Sequence, residues 1–389
     1  MAEHTDKTDP VAAARGLLPE LAERASEMDA ARRLPADLAR TMAEAGVFRL
    51  VTPKRFGGLE ANPRVFVETV ETLSTANASA GWCCMIANTS ALNAAYMAPE
   101  EAEAVFDDPH VITGGVFAPM GRAFVEEGGY RVTGRWQWGS GSANCAWLGG
   151  GCTVWENGEM RRLPSGAPDT LMAVFPAAEA TLLDTWHVMG LKGTGSGDIE
   201  VKDIFVPEGR CVRLAGGNPR ETGALYKFPA FGFLSLGVCA VALGNARGSL
   251  DTFAALAMAK KNQGSAKTLA ERQTVQTAFA QCEASWRAAR ALLFAEIDRV
   301  WEIAQTSDDI PMEARADLRL ACMHVTRTGA DICRTLYELG GGVALFETSP
   351  LQRQFRDAQA ATQHIVTAPA TWELTGRILF GLPTDGAMV

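Results

Sequence analysis

Between Tyr337 and Asp357 the chain reads Y-E-L-G-G-G-V-A-L-F-E-T-S-P-L-Q-R-Q-F-R-D. Upstream, the apolar residues from Met312 to Leu339 recur with a helical period, so Gly340, Gly341 and Gly342 read as the cap and turn that end a long helix. Downstream, Gln352 to Thr367 resumes the helical pattern. Working back toward the N-terminus, Gly244 to Lys261 and Leu269 to Ile303 add two more long helices, which makes 230–389 a C-terminal helical bundle domain. Ahead of it, over 113–229, Gly, Val, Trp and Thr dominate, and strand-like stretches at Tyr130 to Trp138, Leu171 to Phe175 and Ile199 to Val206 are separated by turn residues. This is a central β domain, a sandwich or barrel. Residues 1–112 return to alanine-rich patterns of period 3.6, broken by Gly and Pro, as an N-terminal helical domain. The plan is therefore α+β in three parts.

The 389 residues are 47% hydrophobic and 21% charged, which excludes a disordered or fibrous chain. A net charge of −9 with scattered basic residues excludes nucleic acid as a partner. The nine cysteines show neither paired C-x-x-C spacing nor histidines at zinc spacing, so no metal site is expected and the thiols suit a reducing cytoplasm. Met1 to Pro10 is polar and lacks the apolar core of a signal peptide. The longest uncharged run, Phe228 to Leu243, is short for a membrane span and is interrupted by Pro229, Gly232, Ser235 and Gly237. It reads as a buried segment, and the partners expected are small molecules or further copies of the chain.

Taken in order, Y-E-L-G-G-G and R-Q-F-R-D resemble the Q-x-x-G-G-x-G and R-x-x-R-D motifs of the acyl-CoA dehydrogenase fold. Gly244 to Asp251, G-N-A-R-G-S-L-D, is similar to that family's G-x-A-x-x-A-L-D. Gly134 to Gly141, G-R-W-Q-W-G-S-G, and Gly190 to Ser196, G-L-K-G-T-G-S, followed by a strand to Val206 and Pro207, look like one branch of the fold: the two-component monooxygenases that use reduced flavin. The resemblance implies an enzyme that takes reduced FAD (FADH2, with FMN possible) from a separate NAD(P)H flavin reductase. It implies O2 as co-substrate, a flavin C4a-hydroperoxide as oxidant, a hydrophobic phenol- or indole-type substrate and a homotetramer. No G-x-G-x-x-G follows a strand, as binding of NAD(P)H by the chain itself would need. The alternatives are acyl-CoA dehydrogenation and flavin-dependent N-hydroxylation of an amine.

Desaturating an acyl thioester needs a carboxylate base, and both family positions for it are vacant: Ala358 to Pro369 has no acid and Phe228 to Leu243 no charge. His364 stands in the first. An imidazole there could accept a proton from a phenol or indole, or hold the oxidant protonated. By the same resemblance, Trp138 and Ser140 lie against the flavin ring and its N5 edge, Ser140 as a hydrogen-bond donor. Gly121, with Gly114 and Gly115, belongs to a flavin loop. Thr194 and Ser196 approach the diphosphate, while Gly340, Gly341 and Gly342 meet the nucleotide end of a flavin in a neighbouring subunit. Trp82, Asn88, Phe231 and Leu234 are the expected substrate contacts. Each also has a plain structural reading, as core aromatic, turn residue or helix cap.

Overall fold

The computed structural model describes residues 9–214, 216–261, 264–386 and 389; the polar tail with His4 lies outside them. Six helices come first: α1 (Pro10–Glu23), α2 (Ala25–Ala31), α3 (Ala36–Glu44), α4 (Pro63–Ala76), α5 (Ala78–Ala91) and α6 (Pro99–Phe106). Their starts follow from local chemistry. The Asp9, Asn62 and Asn77 side chains accept from the backbone N–H of Val11, Arg64 and Ala80, and proline at the first helical position starts α1 and α4.

Eight strands follow: β1 (Thr113–Glu126), β2 (Gly129–Trp136), β3 (Trp147–Glu156), β4 (Glu159–Met160), β5 (Thr170–Pro176), β6 (Thr181–Leu183), β7 (Asp198–Pro207) and β8 (Cys211–Val212). They form one mixed sheet in the order β6-β7-β2-β1-β3-β5-β8, with β4 paired to β3. The hydrogen-bonded path is one sheet, curled so that β5 comes back against β7. Only β1 and β3 run parallel, in a register that shifts between Val116 and Gly121.

The sheet curls around Trp136, which is fully buried, donates its indole N–H to Gly151 O at 2.7 Å and packs on Phe175 with ring centroids 5.9 Å apart. Three glycines leave room for that indole. A Cβ on Gly121, Gly134 or Gly150 would sit 2.4, 2.6 or 2.4 Å from the Trp136 ring. The missing side chain of Gly121 faces the sheet core, and close packing against Trp136 requires glycine here whether or not its backbone also meets a flavin.

The C-terminal helices are α7 (Ala224–Lys227), α8 (Ala230–Ala259), α9 (Gln273–Thr306), α10 (Met312–Gly340), α11 (Pro350–Ala361) and α12 (Ala370–Leu379). The uncharged run from Phe228 to Leu243 is the beginning of α8. That helix is long and apolar enough to cross a membrane, with a mean hydropathy of 1.4 over an 18-residue stretch, yet 83% of that stretch is buried within the protein. It crosses α4 closely, because a Cβ on Gly244 or Gly248 would lie 2.1 Å from Glu71 O or Thr75 O. Helices from both ends of the chain thus share one apolar core, with Phe66 of α4 stacked on Phe233 of α8 at 4.8 Å, while the sheet keeps its own core. All nine cysteines are free.

Candidate active site

The site forms where α5, the turn after β2, the loop before β7 and the segment after α11 converge. The helical pattern through Gln352 to Thr367 does not persist: α11 stops at Ala361, where the Thr362 hydroxyl donates to Gln359 O at 2.7 Å, and His364 precedes a 3₁₀ turn over Ile365–Thr367. His364 is therefore a turn residue rather than a helical one. Its ring meets Trp82 edge-on at 5.6 Å, and the Trp82 indole N–H donates to Ser140 Oγ at 3.1 Å.

Behind Ser140 runs a chain of hydroxyls. Thr194 Oγ1 donates to Leu191 O at 2.8 Å, since a carbonyl can only accept. Thr194 must then accept from Ser196, 2.6 Å away, and Ser196 from Ser140, also 2.6 Å away. Ser140 thus receives one N–H, gives its own proton inward and keeps a single free lone pair. This corrects two expectations. Ser140 offers the site an acceptor rather than a donor, and the hydroxyls of Thr194 and Ser196 are spent behind Ser140 instead of facing a diphosphate.

Asp357 supports that chain. Leu191 has φ +53, a left-handed conformation costly for a side chain of its size, and its N–H donates to Asp357 Oδ1 at 2.6 Å. A Cβ on the adjacent Gly190 would lie 2.1 Å from Arg356 O. Arg356 binds Met189 O as well as Asp29, so the G-L-K-G-T-G-S and R-Q-F-R-D stretches, apart in sequence, form one joint. Burial raises the Asp357 carboxyl to about 7, while the Leu191 N–H opposes the shift.

A sign follows for stability. The folded state keeps the Asp357 proton across a range in which the unfolded chain has released it, so this group weakens the fold as pH rises from about 4 to about 7. Asp357→Asn retains the acceptor for Leu191 and removes the titration. In urea unfolding the variant should match wild type near pH 4 and exceed it above pH 7, by up to a few kcal/mol at roughly 1.4 kcal/mol per pKa unit. A gap independent of pH would show that the carboxyl does not titrate with folding.

His364 moves the other way. Burial, reinforced by the Arg319 charge, lowers it to about 4, so the ring is neutral near pH 7. Val366 N–H donates to His364 Nδ1 at 3.3 Å, which places the neutral ring's proton on Nε2. The side chain presents a donor, and of its two expected roles the proton acceptor is the one this geometry disfavours.

Trp138 lies two residues from Ser140 with φ +67 and its side chain 58% exposed. An indole held in a strained conformation on the surface, beside a hydroxyl whose lone pair is free, fits a flat aromatic group with a hydrogen-bonding edge. Phe231 meets Phe117 edge-on at 5.7 Å, and Leu234 lines a small apolar pocket with Tyr96, Phe228 and Phe233.

One expected contact does not join the cluster. The Asn88 amide is fully buried and engaged with Leu50 N, Val47 O and Cys84 O, so it clamps α5 to the loop between α3 and α4. Gly340 to Gly342 sit at the end of α10 remote from Arg319, about 30 Å away at 1.5 Å per residue. There Gly341 takes φ +59 and ψ −149, open only to glycine, and Lys260 Nζ donates to Gly340 O at 2.7 Å. Arg319 was not signalled by the sequence, where it falls among the ordinary charges of a helix.

Comparison with known proteins agrees with this architecture. Residues 12–103 match the acyl-CoA dehydrogenase N-terminal domain and residues 236–369 its C-terminal domain. The chain is 34% identical to an indole-3-acetate monooxygenase of Pseudomonas putida, over 92% of this chain and 90% of that one. It is 31% identical to the oxygenase subunit HsaA, a flavin-dependent monooxygenase of Mycobacterium tuberculosis, over 100% and 99%. XiaF from Streptomyces sp., solved in complex with FADH2 and glycerol, superposes with a TM-score of 0.86 at 26% identity, covering 97% of this chain and 96% of that one. With both domains matched and monooxygenase relatives 31–34% identical over at least 90% of their length, the chain belongs to the acyl-CoA dehydrogenase superfamily, in its flavin-dependent monooxygenase branch.

Proposed function

We propose that the protein is the oxygenase component of a two-component system that hydroxylates an aromatic or heteroaromatic ring of indole or phenol type. The observation that carries this reading is the His364–Trp82–Ser140 cluster, which presents a neutral donor and a hydroxyl acceptor. The buried carboxyl nearest in sequence, Asp357, is turned to Leu191 N, so it does not stand in as the base for acyl-CoA desaturation.

Trp138 and Ser140 would hold the ring of a reduced flavin, FADH2 as in XiaF, with FMN as the smaller alternative. Bound reduced flavin supplies the two electrons that divide O2 between the product hydroxyl and water. The free lone pair of Ser140 suits the N5–H of the reduced form. His364 Nε2–H would donate to the oxygen being transferred or to a polar atom of the substrate, and Phe231, Leu234 and Trp82 would enclose the ring. Gly340 to Gly342 would meet the nucleotide end of a flavin across a subunit boundary in a homotetramer, and the nine free thiols suit the cytoplasm. N-hydroxylation of an amine would use the same cofactor, but the relatives' named substrates favour ring chemistry.

Purified protein, supplied with a separate flavin reductase, NADH and FAD, should convert indole-3-acetate or a phenol to a product that carries one oxygen atom from labelled O2. Turnover with NADH and no reductase, or bleaching of bound oxidised flavin by an acyl-CoA, would sink the proposal.

A further inference from the structure

Arg319 on α10 is only 2% exposed. Its Nη1 donates to Phe231 O at 3.3 Å and its Nη2 to Thr371 Oγ1 at 3.2 Å, both long contacts to uncharged acceptors, while Nε has no partner. The groups acting on its charge are burial and two thiols, Cys322 and Cys239, with no carboxylate among them. Elsewhere in the helical bundle Arg290 faces Glu71 at 2.8 Å. An arginine cannot shed its proton to escape burial, and a buried charge without a counter-ion is costly. The position calls for an anion that the chain does not provide.

The neighbours say where that anion comes from. Arg319 joins the turn after His364 through Thr371, whose hydroxyl accepts from Nη2 and donates to Val366 O at 3.5 Å, while the His364 ring contacts Trp82, whose indole reaches Ser140. Along this run of contacts Ser140, the hydroxyl assigned to the flavin, and Arg319 are the two ends. It also holds the carbonyl of Phe231, whose ring meets Phe117.

We infer that Arg319 anchors the carboxylate of an aromatic acid, so that the substrate is an aryl-alkanoate whose ring lies toward His364 and Phe231. This rests on the hydroxylase reading above and narrows it to one substrate class. Nε–H and one Nη–H form the planar fork that a carboxylate matches with two hydrogen bonds. An anion of different origin, the charge on the reduced flavin itself, has the same chemistry, and the experiment separates the two.

Calorimetric titration of the whole protein with the acid and amide forms of indole-3-acetate, phenylacetate and 4-hydroxyphenylacetate requires no turnover. At least one acid should bind roughly 10–100-fold tighter than its amide, the range of 1.4–2.8 kcal/mol expected for a charge-assisted pair. Arg319→Gln should abolish that preference and leave amide binding and reduced-flavin affinity within about twofold, and Arg319→Lys should restore part of it. Equal binding of acid and amide by the wild type, or no binding of any acid, overturns the proposal without recourse to a variant. So does an Arg319→Gln protein that loses acid and amide alike, which would make the residue structural, or one that loses reduced flavin instead. Hydroxylation of neutral indole or phenol under any of these outcomes leaves the hydroxylase reading standing.

Discussion

His364→Ala is expected to lower product formation roughly 10²–10⁴-fold, the usual weight of a positioned proton donor or acceptor, while reduced flavin still binds and oxygen is still consumed. Peroxide should replace product, because reaction of reduced flavin with O2 does not depend on this side chain. The Val366 contact on Nδ1 sharpens the experiment, since it leaves the ring a donor at Nε2. A glutamine at 364 can place an N–H near the same point but has no basicity. His364→Gln should therefore recover a measurable part of the activity lost in His364→Ala; if the two are equally inactive, the ring acts as a base after all. With the imidazole of the free protein lowered to about 4, wild-type kcat/KM should also lack a histidine limb near neutral pH.

The second large effect concerns the fold. Trp136→Ala removes a fully buried indole together with its hydrogen bond to Gly151 O, and should cost about 3–5 kcal/mol of stability. Gly121→Ala should destabilise for the opposite reason, because its Cβ would arrive 2.4 Å from the ring. The two changes share one space, so in the double variant the alanine at 121 should cost less than it does alone. Additive losses in denaturant melts would show that Gly121 is constrained by something other than Trp136.

The helix, sheet, helix order was legible because glycine and proline punctuate it and the hydrophobic period changes with it. The partners of individual side chains were not. Trp82 reads as one more core aromatic, since nothing local says that its N–H reaches Ser140, and Asn88 reads like a polar lining residue until its three backbone partners are seen. The packing role of Gly121 was not legible, because a glycine that makes room for a distant tryptophan looks the same in sequence as one that makes room for a ligand. His364 was placed by its distance from R-Q-F-R-D, but its tautomer depends on where α11 stops, and helix ends are the least legible feature of a pattern. Asp357 closed a motif without a role until Leu191 was found in a left-handed conformation against it.

The core shared by the two helical segments has a consequence for how the chain is made. Phe66 in α4 finds its stacking partner, Phe233, only after the entire sheet has been synthesised, because α8 begins at Ala230. At roughly 5–20 residues per second that delay is on the order of ten seconds or more, during which the apolar faces of α4 and α5 have left the ribosome without their cover. The sheet, with its own core around Trp136, can close in the interval. The nascent chain therefore carries a folded middle between two unfinished ends, the state in which such a protein is most exposed to aggregation and most dependent on chaperones.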